Sequence, residues 1–314
     1  MNRPLLLGVL TIVACLSIAT NAAAQPAPPP ADPLVKESTT IKVADHTYVI
    51  PDGNVGLVPN VGIIVGSRAT LVIDPGLGKR NGETVRREAV KVSNSTEFFL
   101  ASTHYHAEHT TGIAAFPASA KYVNSTVQDD EQASSGAALI KTFSGRSPLT
   151  AELLKDATVR KADVSFERDY VLDLGGVHVR FLVVGPTHTA GDTAFLVEED
   201  GVLFSGDVVM NNSFLAATPV SSMKAWLAAF DVFEAMKPRT IVPSHGAVGG
   251  GSLIGLNRSV MLEVQARARA LKKQGRSADE TATTIQAEMQ KKYPQWARAN
   301  GVAAAARSAY AEAP

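Results

Sequence analysis

The chain has 314 residues, of which 45% are hydrophobic and 19% charged, a composition ordinary for globular proteins and unlike that of disordered or fibrous chains. Its 30 basic residues are equal in number to its 30 acidic residues, so there is no excess of Lys and Arg to bind the phosphates of a nucleic acid. We therefore expect no nucleic-acid partner. A disulfide framework is excluded, because Cys15 is the only cysteine.

The first 24 residues resemble an export signal. A positively charged start precedes an apolar stretch over residues 5–19, and small residues lead up to Ala24, after which we expect cleavage. The alternatives are an uncleaved membrane anchor and lipoprotein processing at Cys15. Cleavage predicts a periplasmic or secreted protein that has no membrane contact once the signal is removed. Residues 25–39, which include QPAPPPADP, are expected to form a proline-rich spacer.

The remainder, residues 40–314, predicts a single α/β domain in which strands and helices are mixed in both halves. Short β-branched runs punctuated by Gly and Pro predict strands at 41–50, 55–66, 69–76, 96–103 and within 164–203. Helical spacing of apolar residues predicts helices at 82–92, 124–142, 148–155, 221–236 and within 252–310. The C-terminal helices are expected to pack on the domain, to cover the edge of a site or to form a dimer face. The oligomeric state stays open.

Five of the seven histidines follow the ends of predicted strands. His104, His106 and His109 lie in THYHAEHTTG, His188 lies in PTHTAGD, and His245 lies in VPSHG. Loops at strand ends are where α/β scaffolds hold binding groups, and neutral imidazole is a common ligand of borderline-soft metals. The clustering therefore favours a metal site over isolated polar loop residues.

Two carboxylates share this placement. Glu108 lies inside the first cluster, and Asp207 follows the predicted strand VLFSG. Because alternate residues of an extended segment project to the same side, His104 and His106 can bind one ion while Glu108 and His109 reach toward a second. The other two histidines, His46 and His178, match no metal motif and are expected to be ordinary strand residues.

Taken together, these motifs resemble those of the metallo-β-lactamase superfamily. THYHAEHTTG resembles its H-x-H-x-D-H signature, HTAGD, FSGD and PSHG resemble its later metal motifs in the same order, and VIDPG resembles its early aspartate turn. The resemblance spans residues 40–246. It implies a four-layer αβ/βα sandwich with a metal site at one edge of the paired sheets.

The resemblance also implies roles at the matching positions. The first metal would be bound by His104, His106 and His188, and the second by Glu108, His109 and His245. Asp207 stands where binuclear members place a bridging carboxylate, and Asp74 would organise the turn beneath the site. Glu108 departs from the aspartate of the family motif by one methylene, about 1.5 Å. Either the backbone compensates, or the second ion lies differently and binds less tightly.

The implied cofactor is zinc, as two ions, and the implied chemistry is hydrolysis of a small-molecule substrate. Water bound to zinc ionises near pH 7, and Glu108 would orient the resulting hydroxide as the catalytic carboxylate. Export favours a β-lactamase that opens the β-lactam amide and so confers antibiotic resistance. Lactonases, thioesterases and other ester hydrolases of the same fold are alternatives. An iron-dependent sulfur or oxygen redox protein and a non-catalytic metal-binding protein are alternatives of another class.

Overall fold

The structure is a computed structural model that describes residues 31–314, so the predicted signal peptide, Cys15 and the start of the spacer lie outside the described residues. The later part of the predicted spacer packs on the domain instead of standing away from it. Val35 is buried, and its backbone N donates to Oδ1 of Asn81 at 2.9 Å, while Nδ2 of Asn81 donates to the carbonyl of Pro33 at 2.9 Å. The domain therefore begins before Thr40, because an apolar side chain and two backbone groups find partners there.

The first sheet has seven strands, which pair in chain order and run antiparallel from β1 to β4 and parallel from β4 to β7. These strands are β1 (Ile41–Lys42), β2 (Thr47–Ile50), β3 (Val61–Val65), β4 (Thr70–Ile73), β5 (Phe98–Ala101), β6 (Lys121–Ser125) and β7 (Val164–Phe166).

The second sheet has six strands in the order β13-β12-β11-β10-β9-β8, and all neighbours are antiparallel except the parallel pair β11 and β12. Its strands are β8 (Asp169–Asp173), β9 (His178–Val183), β10 (Thr193–Val197), β11 (Val202–Gly206), β12 (Thr240–Pro243) and β13 (Gly249–Gly250).

The helices of the described residues lie between and after these strands. They are α1 (Gly78–Val92), α2 (Ala107–Thr110), α3 (Thr126–Glu131), α4 (Ala137–Ser144), α5 (Pro148–Leu154), α6 (Met223–Met236), α7 (Ser252–Lys273), α8 (Ala278–Lys292) and α9 (Asn300–Glu312). A 3-10 turn, Thr111–Ala115, follows α2, and a π turn, Gln132–Gly136, joins α3 to α4. None of the helices within residues 31–314 combines the length and apolar character that crossing a membrane requires.

Buried apolar side chains separate the elements into four layers. Leu71 of the first sheet and Phe204 of the second belong to a cluster shared by the two sheets. Val85 of α1 packs in another cluster on the outer side of the first sheet, and Trp226 of α6 packs in a third on the outer side of the second sheet. The expected αβ/βα sandwich is therefore confirmed.

One predicted helix is wrong at its start. Residues 124–142 were expected to be helical throughout, but β6 extends to Ser125. Asn124 and Ser125 are buried and pair with Ser165 and Phe166 of β7, so tertiary packing overrides the local pattern. The helix begins at Thr126, where the Ser125 side chain accepts a hydrogen bond from the backbone N of Gln128.

Candidate metal centre

The ends of parallel strands bring the motif residues to one edge of the sandwich. In the first sheet, β4 leads into Asp74, and its parallel neighbour β5 leads through Thr103 into His104. In the second sheet, β11 leads into Asp207, and its parallel neighbour β12 leads into His245. Because parallel neighbours end at the same edge of a sheet, residues far apart in sequence meet there.

The THYHAEHTTG segment turns sharply to present its side chains. His106 occupies the N-cap position of α2, and Glu108 and His109 lie within that helix. The final glycine of the motif, Gly112, packs against the turn after β4, where a Cβ atom would lie 2.2 Å from the carbonyl oxygen of Pro75. The backbone N of Gly112 also donates to the carbonyl of Gly76 at 2.8 Å. Only glycine permits this close approach, which fixes α2 against the Asp74 turn.

The first group of candidate ligands consists of His104, His106 and His188. One ligand atom from each residue lies within 4.8 Å of the others, and Nδ1 of His106 is 3.3 Å from Nε2 of His188. The second group consists of Glu108, His109 and His245, which meet the same distance limit and are all buried. The groups adjoin, since the ring centres of His104 and His109 are 4.0 Å apart. The side chains therefore fit a dinuclear metal site.

Four of the five histidine rings are held through Nδ1, which directs Nε2 into the site. The partners of Nδ1 are Thr103 Oγ1 for His104 (3.0 Å), Asp74 Oδ2 for His109 (2.9 Å), the carbonyl of Ala216 for His188, and the carbonyl of Val58 for His245 (2.9 Å). A carbonyl oxygen only accepts, so Nδ1 of His188 and of His245 carries the proton and Nε2 keeps its lone pair. Contacts of this kind fix the tautomer and orientation of metal-binding histidines.

Several buried polar atoms at this edge have no hydrogen-bond partner among the described residues. They include Nε2 of His104, Oε2 of Glu108, Nε2 of His109 and Oδ1 of Asp207; Nδ1 of His109 also lacks a well-aligned hydrogen bond, although it lies 2.9 Å from Oδ2 of Asp74. Leaving such an atom unpaired costs about 1–3 kcal/mol, so a fold with four of them in one place needs a further partner. Imidazole nitrogens and carboxylate oxygens are ligands that zinc accepts, and the donor set fits metal ions on this ground.

Burial keeps three histidines of the site, His104, His106 and His245, neutral. Burial lowers the pKa of His104 and of His106, and the neighbouring histidines lower both further. Burial also lowers the pKa of His245 to about 3. These rings are therefore neutral at pH 7, which is the protonation state that binds a metal.

His109 behaves differently from the other histidines. Burial opposes its charge, but the carboxylate beside Nδ1, that of Asp74, raises the pKa of His109 to about 9, and Glu108 adds to this effect. Burial raises the pKa of Glu108 itself. In the absence of metal, His109 therefore holds a proton at pH 7, which a metal bound at Nε2 must displace.

Asp74 connects the two groups. Its Oδ1 accepts a hydrogen bond from the backbone N of Thr103 at 2.7 Å, and its Oδ2 accepts one from Oγ1 of Thr103 at 2.8 Å. The same Oδ2 lies beside Nδ1 of His109. The aspartate thus holds the residue before His104 and the ring of His109 from one position beneath the site.

Asp207 lies beside the first group but is paired with a residue that sequence reasoning missed. Its Oδ2 is 3.6 Å from Nε2 of His188 and accepts a hydrogen bond from Nη1 of Arg298 at 2.8 Å. Burial alone would raise the pKa of Asp207, but the guanidinium holds it well below its usual range. Arg298 lies beyond all the motifs, and nothing in its local sequence predicts this contact.

The two remaining histidines lie outside the cluster. His46 is in the turn between β1 and β2, and its backbone N donates to Asp200. His178 is half-exposed on β9, where Nδ1 lies 2.7 Å from Oε1 of Glu199. Neither side chain belongs to a candidate metal-binding group among the described residues.

A cavity of about 450 Å³ adjoins the site at His245. Arg298 lines it together with five uncharged polar residues and four apolar ones, which are Asn54, Asn211, Asn212, Ser213 and Gln295, and Val55, Met210, Ala247 and Ala297. The loop after Asp207 therefore contributes to the wall of a cavity next to the candidate ligands.

A family profile and several solved structures are similar to this chain. The sequence profile of the metallo-beta-lactamase superfamily matches residues 55–245, which is more than half of the chain. A search of curated proteins found no match. Among solved structures, the sec-alkylsulfatase Pisa1 from Pseudomonas sp. is similar over 86% of this chain and 49% of its own, with a TM-score of 0.67 and 17% identity. This chain thus spans about half the length of that enzyme.

Two solved β-lactamases are also similar in fold. The metallo-beta-lactamase from Pontibacter korlensis matches 70% of this chain and 96% of its own, with a TM-score of 0.54 and 21% identity. The DIM-1 metallo-beta-lactamase matches 72% of this chain and 97% of its own, with a TM-score of 0.57 and 18% identity. At these identities the likeness establishes the fold.

Proposed function

The chain belongs to the metallo-beta-lactamase superfamily, and on that premise we propose that it is a dinuclear metal-dependent hydrolase that opens the amide bond of β-lactams. The observation that carries the proposal is the pair of adjoining ligand groups, with buried atoms that lack partners in both. We propose zinc as the metal, because imidazole nitrogens and carboxylate oxygens are ligands that zinc accepts.

When bound, zinc would lower the pKa of coordinated water to about 7 and would polarise a carbonyl oxygen. The neutral imidazoles of His104, His106 and His245 would hold the metals together with His188, and His109 would have to give up its proton to do so. Oε2 of Glu108 is buried without a partner and accepts the proton of the attacking water. In the absence of metal, burial raises the pKa of Glu108.

The remaining charged groups position these residues. Asp74 fixes the ring of His109 through Nδ1, and Arg298 keeps Asp207 ionised beside His188. We propose that Asp207 would help to hold the metals, because its Oδ1 is buried and has no hydrogen-bond partner among the described residues. During hydrolysis the water oxygen bonds to the carbonyl carbon, the carbon–nitrogen bond breaks, and the nitrogen gains a proton.

A second candidate substrate is a sulfate ester. The likeness to the alkylsulfatase covers 86% of this chain, whereas the likeness to the β-lactamases covers 70% and 72%. The larger coverage supports a sulfate ester as the second candidate substrate. Lactones, thioesters and other esters are further candidates that the same chemistry would serve.

Purified processed protein, loaded with zinc, tests these proposals directly. We expect turnover of nitrocefin, penicillins, cephalosporins or carbapenems, and chelation of the metal should abolish it. Turnover of secondary alkyl sulfates or acyl-homoserine lactones without turnover of any β-lactam would replace the proposed substrate and keep the hydrolase. Iron in the purified protein together with oxygen consumption would instead support a redox protein, and turnover of nothing in the panel would favour a non-catalytic metal-binding protein.

We also propose export to the periplasm or cell exterior, on the basis of residues 1–24. N-terminal sequencing of the protein from its native cell tests this. Gln25 as the first residue is expected, and an intact Met1 on a cytoplasmic protein would contradict it.

A further inference from the structure

The segment between α8 and α9 reaches over the loop that follows Asp207. The backbone N of Ala297 donates to the carbonyl of Asn212 at 3.1 Å, and the carbonyl of Ala297 accepts from the backbone N of Phe214 at 3.0 Å. The Trp296 ring packs against that of Phe214, with centres 5.2 Å apart. These contacts fix the backbone before Arg298, and the carbonyl of Arg298 itself accepts a hydrogen bond from the backbone N of Gly301 at 2.9 Å, so the segment that carries the side chain is held on both sides.

Most N–H groups of the Arg298 guanidinium make no hydrogen bond with the described residues. Nη1 donates to Oδ2 of Asp207, and this is the one hydrogen bond that the guanidinium makes with the described residues. The side chain is 31% exposed, whereas that of Asp207 is 4% exposed. A guanidinium carries five N–H donors, so one edge of it remains available for a ligand. Arg298 therefore still has N–H donors available after it pairs with Asp207.

The cavity beside Arg298 is suited to an anion. Among the described residues that line it, Arg298 and His245 are the basic ones and Asp52 is the acidic one. The oxygens of Asp52 are occupied, since Oδ2 accepts from the backbone N of Gly246 at 2.7 Å and Oδ1 accepts from that of Asn54 at 3.0 Å. An anion in the cavity would therefore lie beside the N–H groups of Arg298 that Asp207 does not use and beside uncharged amide and hydroxyl side chains. His245 of the second ligand group lies in the same wall.

Resting on the proposed hydrolase function, we propose that Arg298 determines specificity by binding a carboxylate, or a comparable small oxyanion, of the substrate in this cavity. The substrate's anion would accept N–H bonds from the guanidinium edge that Asp207 leaves free, while the scissile bond lies toward His245. This favours substrates that carry an anionic group close to the bond that breaks, as β-lactams and alkyl sulfates do. It disfavours uncharged lactones and esters.

A matched pair of substrates isolates this effect. We would measure kcat/KM of the zinc-loaded protein for 4-nitrophenyl hydrogen succinate, which is anionic, and for its uncharged methyl ester. Wild type is expected to prefer the anion by about tenfold, the lower range for a hydrogen bond to a charged group. Arg298→Gln should abolish that preference mainly by lowering turnover of the anion, and Arg298→Lys should restore part of it.

The control variant is Arg307→Gln, an arginine of α9 that is paired with Asp279 on α8, which should keep the wild-type ratio. Zinc content and circular dichroism establish that each variant is folded and loaded. Equal loss of both substrates in Arg298→Gln, with the ratio unchanged, would overturn the proposal and leave only a structural role toward Asp207.

A binding measurement separates failure of this inference from failure of the proposed function. Calorimetric titration of succinate into the zinc-loaded protein should show binding that Arg298→Gln weakens about tenfold, whether or not either ester is hydrolysed. If neither ester turns over but succinate binds through Arg298, the hydrolase proposal is what fails. If succinate binds equally to both proteins, or to neither, the anion site is refuted.

Discussion

The two ligand groups lie side by side at one sheet edge, yet they hold protons differently. His104, His106 and His188 form a group of imidazoles without a carboxylate, and burial lowers the pKa of the first two. The other group contains Glu108 and His109, both with raised pKa values. A metal entering the first group finds free lone pairs, whereas one entering the second must displace a proton. The groups should therefore differ in affinity and in pH dependence.

The largest effect is expected from His106→Ala, which removes one of the three ligands of the first group. The bound zinc should fall from two ions to one, and hydrolysis should fall by about 100-fold or more, since outer contacts alone are worth 10- to 100-fold. Metal analysis and kcat/KM measure both quantities. His178→Ala is the matched control, because that histidine pairs with Glu199 away from the site. Unchanged zinc content in His106→Ala would contradict the assignment of this group.

Asp74→Asn should weaken metal binding at the second group by about 10- to 100-fold, because it removes the carboxylate that orients His109. It should also change the pH dependence of the metal-free protein. With Asp74 present, the pKa of His109 is about 9 in the folded state against an ordinary 6.5, so the stabilisation is complete below pH 6.5 and is lost as the pH rises through 9.

Urea unfolding of the metal-free protein between pH 6 and pH 9.5 measures this difference. The stability gap between wild type and Asp74→Asn should narrow as the pH rises through that range. A gap that stays constant would mean that Asp74 does not hold the proton on His109.

Glu108→Asp restores the residue of the family motif, but here it should weaken the second site. The shorter side chain withdraws its oxygens by about 1.5 Å, beyond the ~0.5 Å that such sites tolerate. We expect about tenfold weaker binding of the second zinc, with the first unaffected, in a chelator competition titration. Tighter binding of the second zinc in Glu108→Asp would contradict this prediction. It would show that the backbone has not adjusted to the longer side chain of Glu108.

The smallest effect is expected from Thr103→Val, which removes the hydroxyl that contacts Nδ1 of His104 and donates to Asp74. Nε2 of His104 and all other ligands remain, so affinity at the first group should fall only several-fold, below the 10- to 100-fold range of a lost carboxylate partner. The same titration measures it. A loss as large as that of Asp74→Asn would mean that the hydroxyl, rather than the ring's packing, fixes His104.

The sequence predicted the members of the two ligand groups but not the difference in their protonation. The strand-end placement of the histidines and the family motif predicted which residues meet, because motif spacing encodes ligand position. The partners of the rings were not predictable, since the carbonyls of Val58 and Ala216 belong to residues whose identity does not matter. Arg298 was missed for a related reason. Its contact with Asp207 depends on how α8 and α9 fold back, which no local pattern specifies.

The fold was predicted more fully than the site. Buried apolar runs ending in Gly or Pro identified most strands of both sheets, and the family motif supplied the order of the layers. The start of the helix at Thr126 was missed, because Asn124 and Ser125 form a strand only by pairing with β7. The position of Val35 was missed because its burial depends on Asn81, which lies on α1.

The most direct test of the account is a crystal structure of the zinc-loaded protein with anomalous data collected at the zinc absorption edge. We predict two anomalous peaks. One should lie about 2.0–2.1 Å from nitrogens of His104, His106 and His188, and the other at ligand distance from Glu108, His109 and His245. Zinc peaks absent from this edge, or bound elsewhere while these side chains stay unliganded, would contradict the claim that the fold assembles a metal centre here.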